Sequence, residues 1–270
     1  MDLSAAREGV VVHDLRLGFP FGNESYDAVY GSHVLEHLQP EEADFVLGEC
    51  YRVLKSGGIV RIVVPDLEEI ARLYLEALDR AAAKTPGWDG RYDWLMLELY
   101  DQGLRTSPGG RMQAYLRGEL DGGLLDFIES RIGPEILRQV RWRSGERQVK
   151  LEILRRIVRW LTTAFGTARN RFAETCVAAF LGRKGILALR QGLFRNGGEI
   201  HQWMYDRYSL GRALERARFT DVRVCRVEES AIPEFARFGL ESIGGKPRKP
   251  DSLYMEATKR ASAGARVARA

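Results

Sequence analysis

Tyr26-Asp27-Ala28-Val29-Tyr30, and then, after a helical stretch, Ile59-Val60-Arg61-Ile62-Val63-Val64-Pro65, are the two runs that decide the fold. The second is almost continuously β-branched, carries one arginine and stops at a proline, as befits a strand buried on both faces of a parallel sheet. Between them Pro40 opens a segment whose apolar residues Phe45, Val46, Cys50, Val53 and Leu54 fall near helical spacing, and Gly57-Gly58 closes it, so a helix is expected over 41–54. Strand, helix and strand within about 40 residues make a βαβ unit, and the chain is assigned to the α/β class.

Working outward, Gly9 to Leu15 is short and rich in valine and is expected to be a first strand, ending in the turn-prone residues Gly18, Pro20, Gly22 and Asn23. Residues 67–83 read as an amphipathic helix. From 86 to 200, Gly and Pro punctuation separates several helical patterns with no convincing strand, which predicts a large helical insertion or lid. Helix is then expected over 209–217, and strands over 221–227 and 252–258 with no helix between them, hence antiparallel. The expected organisation is 1–85 for the cofactor-binding part, 86–200 for the insertion, 201–260 for the closing helix and strand pair, and 261–270 for a disordered tail.

Composition narrows the function classes. No run approaches 18 apolar residues and Met1-Asp2-Leu3-Ser4 lacks a secretory profile, so the expectation is a cytoplasmic chain, peripheral to the membrane at most. Cys50, Cys176 and Cys225 match neither a metal-ligand spacing nor a disulfide framework, and no metal is implied by them. The net charge of +4 is uneven: residues 131–201 hold 15 Lys/Arg against 5 Glu, leaving a deficit elsewhere. Wound as a helix, Leu151 to Phe165 separates an apolar face (Ile153, Leu154, Ile157, Trp160, Leu161) from a basic one (Arg155, Arg156, Arg159), a pattern suited to a lid or to an anionic membrane surface. Arginine interleaved with aromatics (Arg141-Trp142-Arg143) could stack on bases, but no nucleic-acid module is recognisable and a nucleic-acid partner is not expected.

The ordered set Asp14-Leu15, Phe19-Pro20-Phe21, Ser25-Tyr26-Asp27, Val34-Leu35-Glu36-His37-Leu38 and Arg52-Val53-Leu54-Lys55-Ser56-Gly57-Gly58 resembles the second half of a class I S-adenosylmethionine-dependent methyltransferase domain of the type 11 group. His201-Gln202-Trp203-Met204-Tyr205-Asp206 and Ser252-Leu253-Tyr254-Met255-Glu256-Ala257 resemble the same group's closing helix and strand. The resemblance implies a Rossmann-like sheet, S-adenosylmethionine as methyl donor, and a small-molecule, lipid or glycan acceptor. It places Asp14 and Leu15 against the adenine and Gly31, Ser32 and His33 beside the methionine part. The family's opening strand, glycine-rich loop and second strand do not precede Val10. In the family's strand order 3-2-1-4-5-7-6 these would be central, so the sheet is expected to be incomplete, and either to pair abnormally or to be completed by another chain. A non-catalytic partner of a full methyltransferase is therefore the alternative reading.

Methyl transfer needs positioning and, for many acceptors, removal of a proton. His201, just before the closing helix, is the first candidate base, with His33 and then Asp66, at the carboxyl end of its strand, after it. His37 is expected to pack at a helix start.

Overall fold

The computed structural model describes residues 10–135, 137 and 152–260, with backbone alone over 152–172. A four-stranded sheet is its centre. Strand β1 (Tyr26–Ser32) runs parallel to β2 (Leu54–Pro65) through helix α1 (Pro40–Val53), the expected βαβ unit. Pro40 stands in the first turn of α1 and Glu42 accepts a hydrogen bond from the Gln39 amide at 3.0 Å, so the missing proline donor costs nothing there.

Helix α2 (Leu67–Ala82) leaves β2 at once, capped by Asp66, whose carboxylate accepts from the amides of Glu68 and Glu69. Helices α3 (Trp88–Leu104), α4 (Gly110–Leu116), α5 (Gly122–Ile132) and α6 (Glu152–Arg195) follow, α6 being broken at Gly182 by non-helical torsion angles. Every described element from 88 to 195 is helical. Helix α7 (Arg207–Arg216) leads into β3 (Phe219–Cys225); after the two-residue strands β4 (Ser242–Ile243) and β5 (Lys246–Pro247), β6 (Ser252–Lys259) closes the sheet. Strand order is β1-β2-β6-β3, with β6 antiparallel to both neighbours. This is the 4-5-7-6 half of the family order, so the pairing is regular and the expected abnormal pairing is corrected. β1 forms the outer edge among the described residues.

Alternation along β2 divides its side chains between two faces. Val60, Ile62 and Val64 join Leu47, Cys50, Leu210, Leu214, Leu253 and Met255 in the core between the sheet, α1 and α7. Arg61 and Val63 face the other way, where Val63 packs with Cys225 and Tyr254. A separate apolar cluster of Trp94, Leu116, Leu124, Ile128 and Ile132 joins α3, α4 and α5. Arg131 ties the two regions together: on α5 it meets the buried Glu98 on α3 at 3.0 Å and the half-exposed Glu69 on α2 at 3.1 Å, and its carbonyl accepts from the Asp251 amide just before β6.

Two local readings need correction. Residues 10–15 are not a strand: only an isolated bridge at Val12 appears, and Asp14 caps a 3-10 turn at Leu15–Leu17. Strand β2 begins at Leu54 rather than Ile59; Tyr26 pairs with Leu54, the register then slips, and Gly57 takes a positive φ of 78° within that irregular stretch. The two faces expected for Leu151 to Phe165 and the tail over 261–270 lie outside the described residues. Among the described residues no helix is long and apolar enough to cross a membrane.

Candidate active site

The carboxyl ends of β1 and β2 and the start of β6 meet at one rim of the sheet, where ligands bind in open α/β folds. His33 is the first residue past β1. Its amide donates to Val63 O at 2.8 Å and its φ is 52°, in the left-handed region that a residue with a Cβ adopts only at a cost. Backbone held there by its surroundings concentrates at functional sites. The turn Leu35–His37 follows and presents Glu36, a carboxylate only 1% exposed, beneath the ring of His33. Nδ1 of His33 stands 3.1 Å from Glu36 Oε1, and Nε2 lies 3.0 Å from Ser252 Oγ across the strand ends. A carboxylate can only accept, so the tautomer that suits this pair carries its proton on Nδ1, facing Glu36, and leaves Nε2 to accept the hydrogen bond of the Ser252 hydroxyl.

The segment before α7 closes over this turn. Gln202 and Trp203 donate their amides to the Glu36 carbonyl, the His201 amide donates to Gln102 O on α3, and His37 Nδ1 donates to Ile200 O at 3.0 Å. The His37 and His201 rings meet edge to face, 4.9 Å between centroids. Together with Arg105, Glu199, Lys249 and Asp251 these residues line a cavity of about 500 Å³.

Its electrostatics are set by burial among opposed charges. Burial pushes the Glu36 carboxyl up, but His33 beside it, with His201 and His37 behind, brings the net value below the ordinary range, so Glu36 is ionised. The approach of His33 lacks the alignment of a hydrogen bond, and neither Glu36 oxygen has a bonded donor among the described residues. Burial holds His201 down to about 3, so it is neutral. Burial also lowers Lys249 and raises Asp251, two groups of opposite sign at the cavity wall.

Of the residues chosen from sequence, His33 and His201 share this cavity. Asp66 is not among its lining residues; its carboxylate caps α2, and burial raises it. Asp14 has both oxygens taken by the Arg16 guanidinium, which holds its carboxyl low, and Leu15 packs against the main core. Neither lines the cavity. Gly31 lies within β1, where a Cβ would come within 3.3 Å of Ile62. Ser32, the last residue of β1, lines a second cavity of about 380 Å³ with Tyr30, Glu241, Arg248, Lys249 and Tyr254. Sequence reasoning missed Glu36, Ser252, Lys249 and Asp251. The first two sit inside motifs already quoted, but nothing in a sequence says that a motif's glutamate is buried against two histidines.

Residues 3–62 match the family model described as Methyltransferase domain. This stretch is similar to a methyltransferase domain. The match takes in the 3-10 turn, β1, α1 and most of β2, and with them His33, Glu36 and His37. His201, Lys249, Asp251 and Ser252 lie beyond it, and most of the cavity wall, including Trp94, Gln102, Arg105 and His201, comes from outside the matched segment. A comparison with curated proteins gives no match.

Proposed function

We propose that the chain transfers the methyl group of S-adenosylmethionine to an oxygen or nitrogen of a small molecule, lipid or sugar held in the 500 Å³ cavity. The observation that carries this reading is His33, held in the left-handed region at the end of β1 within the stretch similar to a methyltransferase domain, with Glu36 Oε1 3.1 Å from one ring nitrogen and Ser252 Oγ 3.0 Å from the other.

The donor fits the residues present in part. Gly31, Ser32 and His33 are at the strand end where the methionine part would be held. Asp14 fits the adenine only if Arg16 releases its carboxylate, because both oxygens are engaged. When bound, S-adenosylmethionine supplies a sulfonium-activated methyl group. The chain's own residues then have two tasks: to hold the acceptor in line and to take its proton. His33 takes that proton at Nε2, the position the Ser252 hydroxyl otherwise fills, and the Glu36 carboxylate stabilises the imidazolium that results. His201, the first candidate from sequence, makes no ring hydrogen bond among the described residues and so lacks the partner that orients a base; we place it in the cavity wall. Lys249 and Asp251 would meet polar groups of the acceptor.

Transfer of a labelled methyl group to a panel of hydroxyl- and amine-bearing acceptors tests this. Asparagine tolerates the left-handed backbone at position 33, so His33→Asn should keep the fold while lowering turnover by roughly 10²–10⁴-fold. Turnover within a few-fold of the parent chain would remove His33 from the role of base.

A further inference from the structure

Glu36, His37 and His201 place one ligand atom each within 4.8 Å of one another, at the wall of the same cavity. Two imidazoles and a carboxylate are the donor set of mononuclear sites that hold zinc or ferrous iron and leave a position open. Proximity alone would carry little, but two further features point to a cation.

The first is Glu36. Its side chain is 1% exposed, yet neither oxygen accepts an aligned hydrogen bond among the described residues, although His33 Nδ1 stands 3.1 Å from Oε1. Buried carboxylates are normally satisfied, so one left without a donor beside two imidazoles asks for a cation. The second is His37. Its Nδ1 donates to the Ile200 carbonyl at 3.0 Å, which fixes the tautomer and leaves the Nε2 lone pair directed inward, 4.0 Å from Glu36 Oε1. A histidine whose outer nitrogen is tied to a backbone carbonyl is the arrangement found behind metal-ligating imidazoles. The same backbone segment carries His201, so the Ile200 to Trp203 clamp on Glu36 and His37 sets all three donors at once.

We propose that Glu36, His37 and His201 bind one divalent transition-metal ion of the zinc class. Bonds of about 2.0–2.2 Å put ligand atoms roughly 3–3.5 Å apart, so the three groups close by about an ångström on binding. Oxygen-seeking magnesium and calcium are excluded by the two nitrogen donors. The remaining coordination position faces the cavity. What it does there rests on the methyl-transfer reading: it would take the acceptor oxygen and lower that oxygen's proton affinity, with His33 receiving the proton.

The test is calorimetric titration of the metal-stripped full chain with zinc chloride, with bound zinc measured by emission spectroscopy after dialysis. One equivalent per chain at micromolar or better affinity is expected, weakened at least 100-fold in His37→Ala and in His201→Ala. Cobalt(II) should give a visible absorption band of a low-coordinate nitrogen–oxygen site that both variants lose, while His13→Ala, away from the cluster, keeps it. Circular dichroism of each variant guards against reading an unfolded chain as a lost site. No stoichiometric zinc at 100-fold excess, or binding that survives the double variant His37→Ala/His201→Ala, overturns the proposal. S-adenosylmethionine titrated into the same metal-stripped chain separates the two readings, since donor binding without zinc binding would sink the metal site alone.

Discussion

Arg61 is the one charge in the β-branched run of β2, and it is fully buried. Register explains how it is tolerated. Arg61 lies opposite Glu256 on β6, bonding it at 2.8 Å, and forks onto Glu241 at 2.6 and 2.8 Å; its remaining donors reach the carbonyls of Arg226 and Glu229. Arg223, opposite Glu256 on β3, takes that residue's second oxygen. The arginine therefore fastens the 226–241 connection to the sheet. Burial pushes the Glu256 carboxyl up, but hydrogen bonds from Ser230, the Ala231 amide, Arg223 and Arg61 bring its net value below the ordinary one. A carboxyl lowered by folding stabilises the fold fully above its unfolded pKa, about 4.3, and that contribution is lost as pH falls through the lower folded value. Denaturant titrations from pH 7 to pH 3 should show a loss of stability below about pH 4.3. Arg61→Met should cost roughly 3–5 kcal/mol at pH 7, because it leaves Glu241 buried without its cation and takes one of two arginines from Glu256.

Among the elements, the helices from 88 to 132 meet the sheet through Arg131. Its guanidinium reaches Glu98 and Glu69, the Trp94 indole donates to Glu98, and the Arg131 carbonyl accepts from the Asp251 amide at the cavity wall. Replacing Arg131 by Met would leave Glu98 buried without its cation, and hydrogen exchange should report it regionally: amides of α3 and α5 lose protection while those of β2 and β6 keep theirs. Uniform loss across sheet and helices would show that the two parts unfold as one. The elements were legible where periodicity and end signals agreed: α1 with Pro40 ahead and Gly57-Gly58 behind, α2 after Pro65, and β6 from its alternation. Reading failed where a neighbour decides the outcome. Val10 to Val12 have strand propensity, but propensity describes a fit to a pleated, half-buried surface, and those residues make only one isolated bridge. Leu54 to Ser56 look like a helix end, yet Tyr26 pairs with Leu54 and Lys259 Nζ binds the Leu54 carbonyl at 2.7 Å, drawing them into the sheet. At the site, His33 and His201 could be picked out by their motifs. Their convergence through Glu36 could not, because it joins residues more than 160 positions apart and depends on which way a 3-10 turn faces.

At the scale of the whole molecule, the described sheet is a regular half of a methyltransferase sheet, with β1 at its outer edge and the cavity at its carboxyl rim. That rim draws on the matched segment for His33 and Glu36 and on the later chain for His201, Lys249 and Asp251. The helical stretch between 88 and 132 adds Trp94, Gln102, Arg105 and Met112, so three stretches of chain far apart in sequence build the cavity. The most direct test is isothermal titration of the 270-residue chain with S-adenosylmethionine and S-adenosylhomocysteine. Micromolar binding of both, at one site per chain, is the predicted result; a folded chain that binds neither up to millimolar ligand would contradict the assignment of methyl transfer to this site.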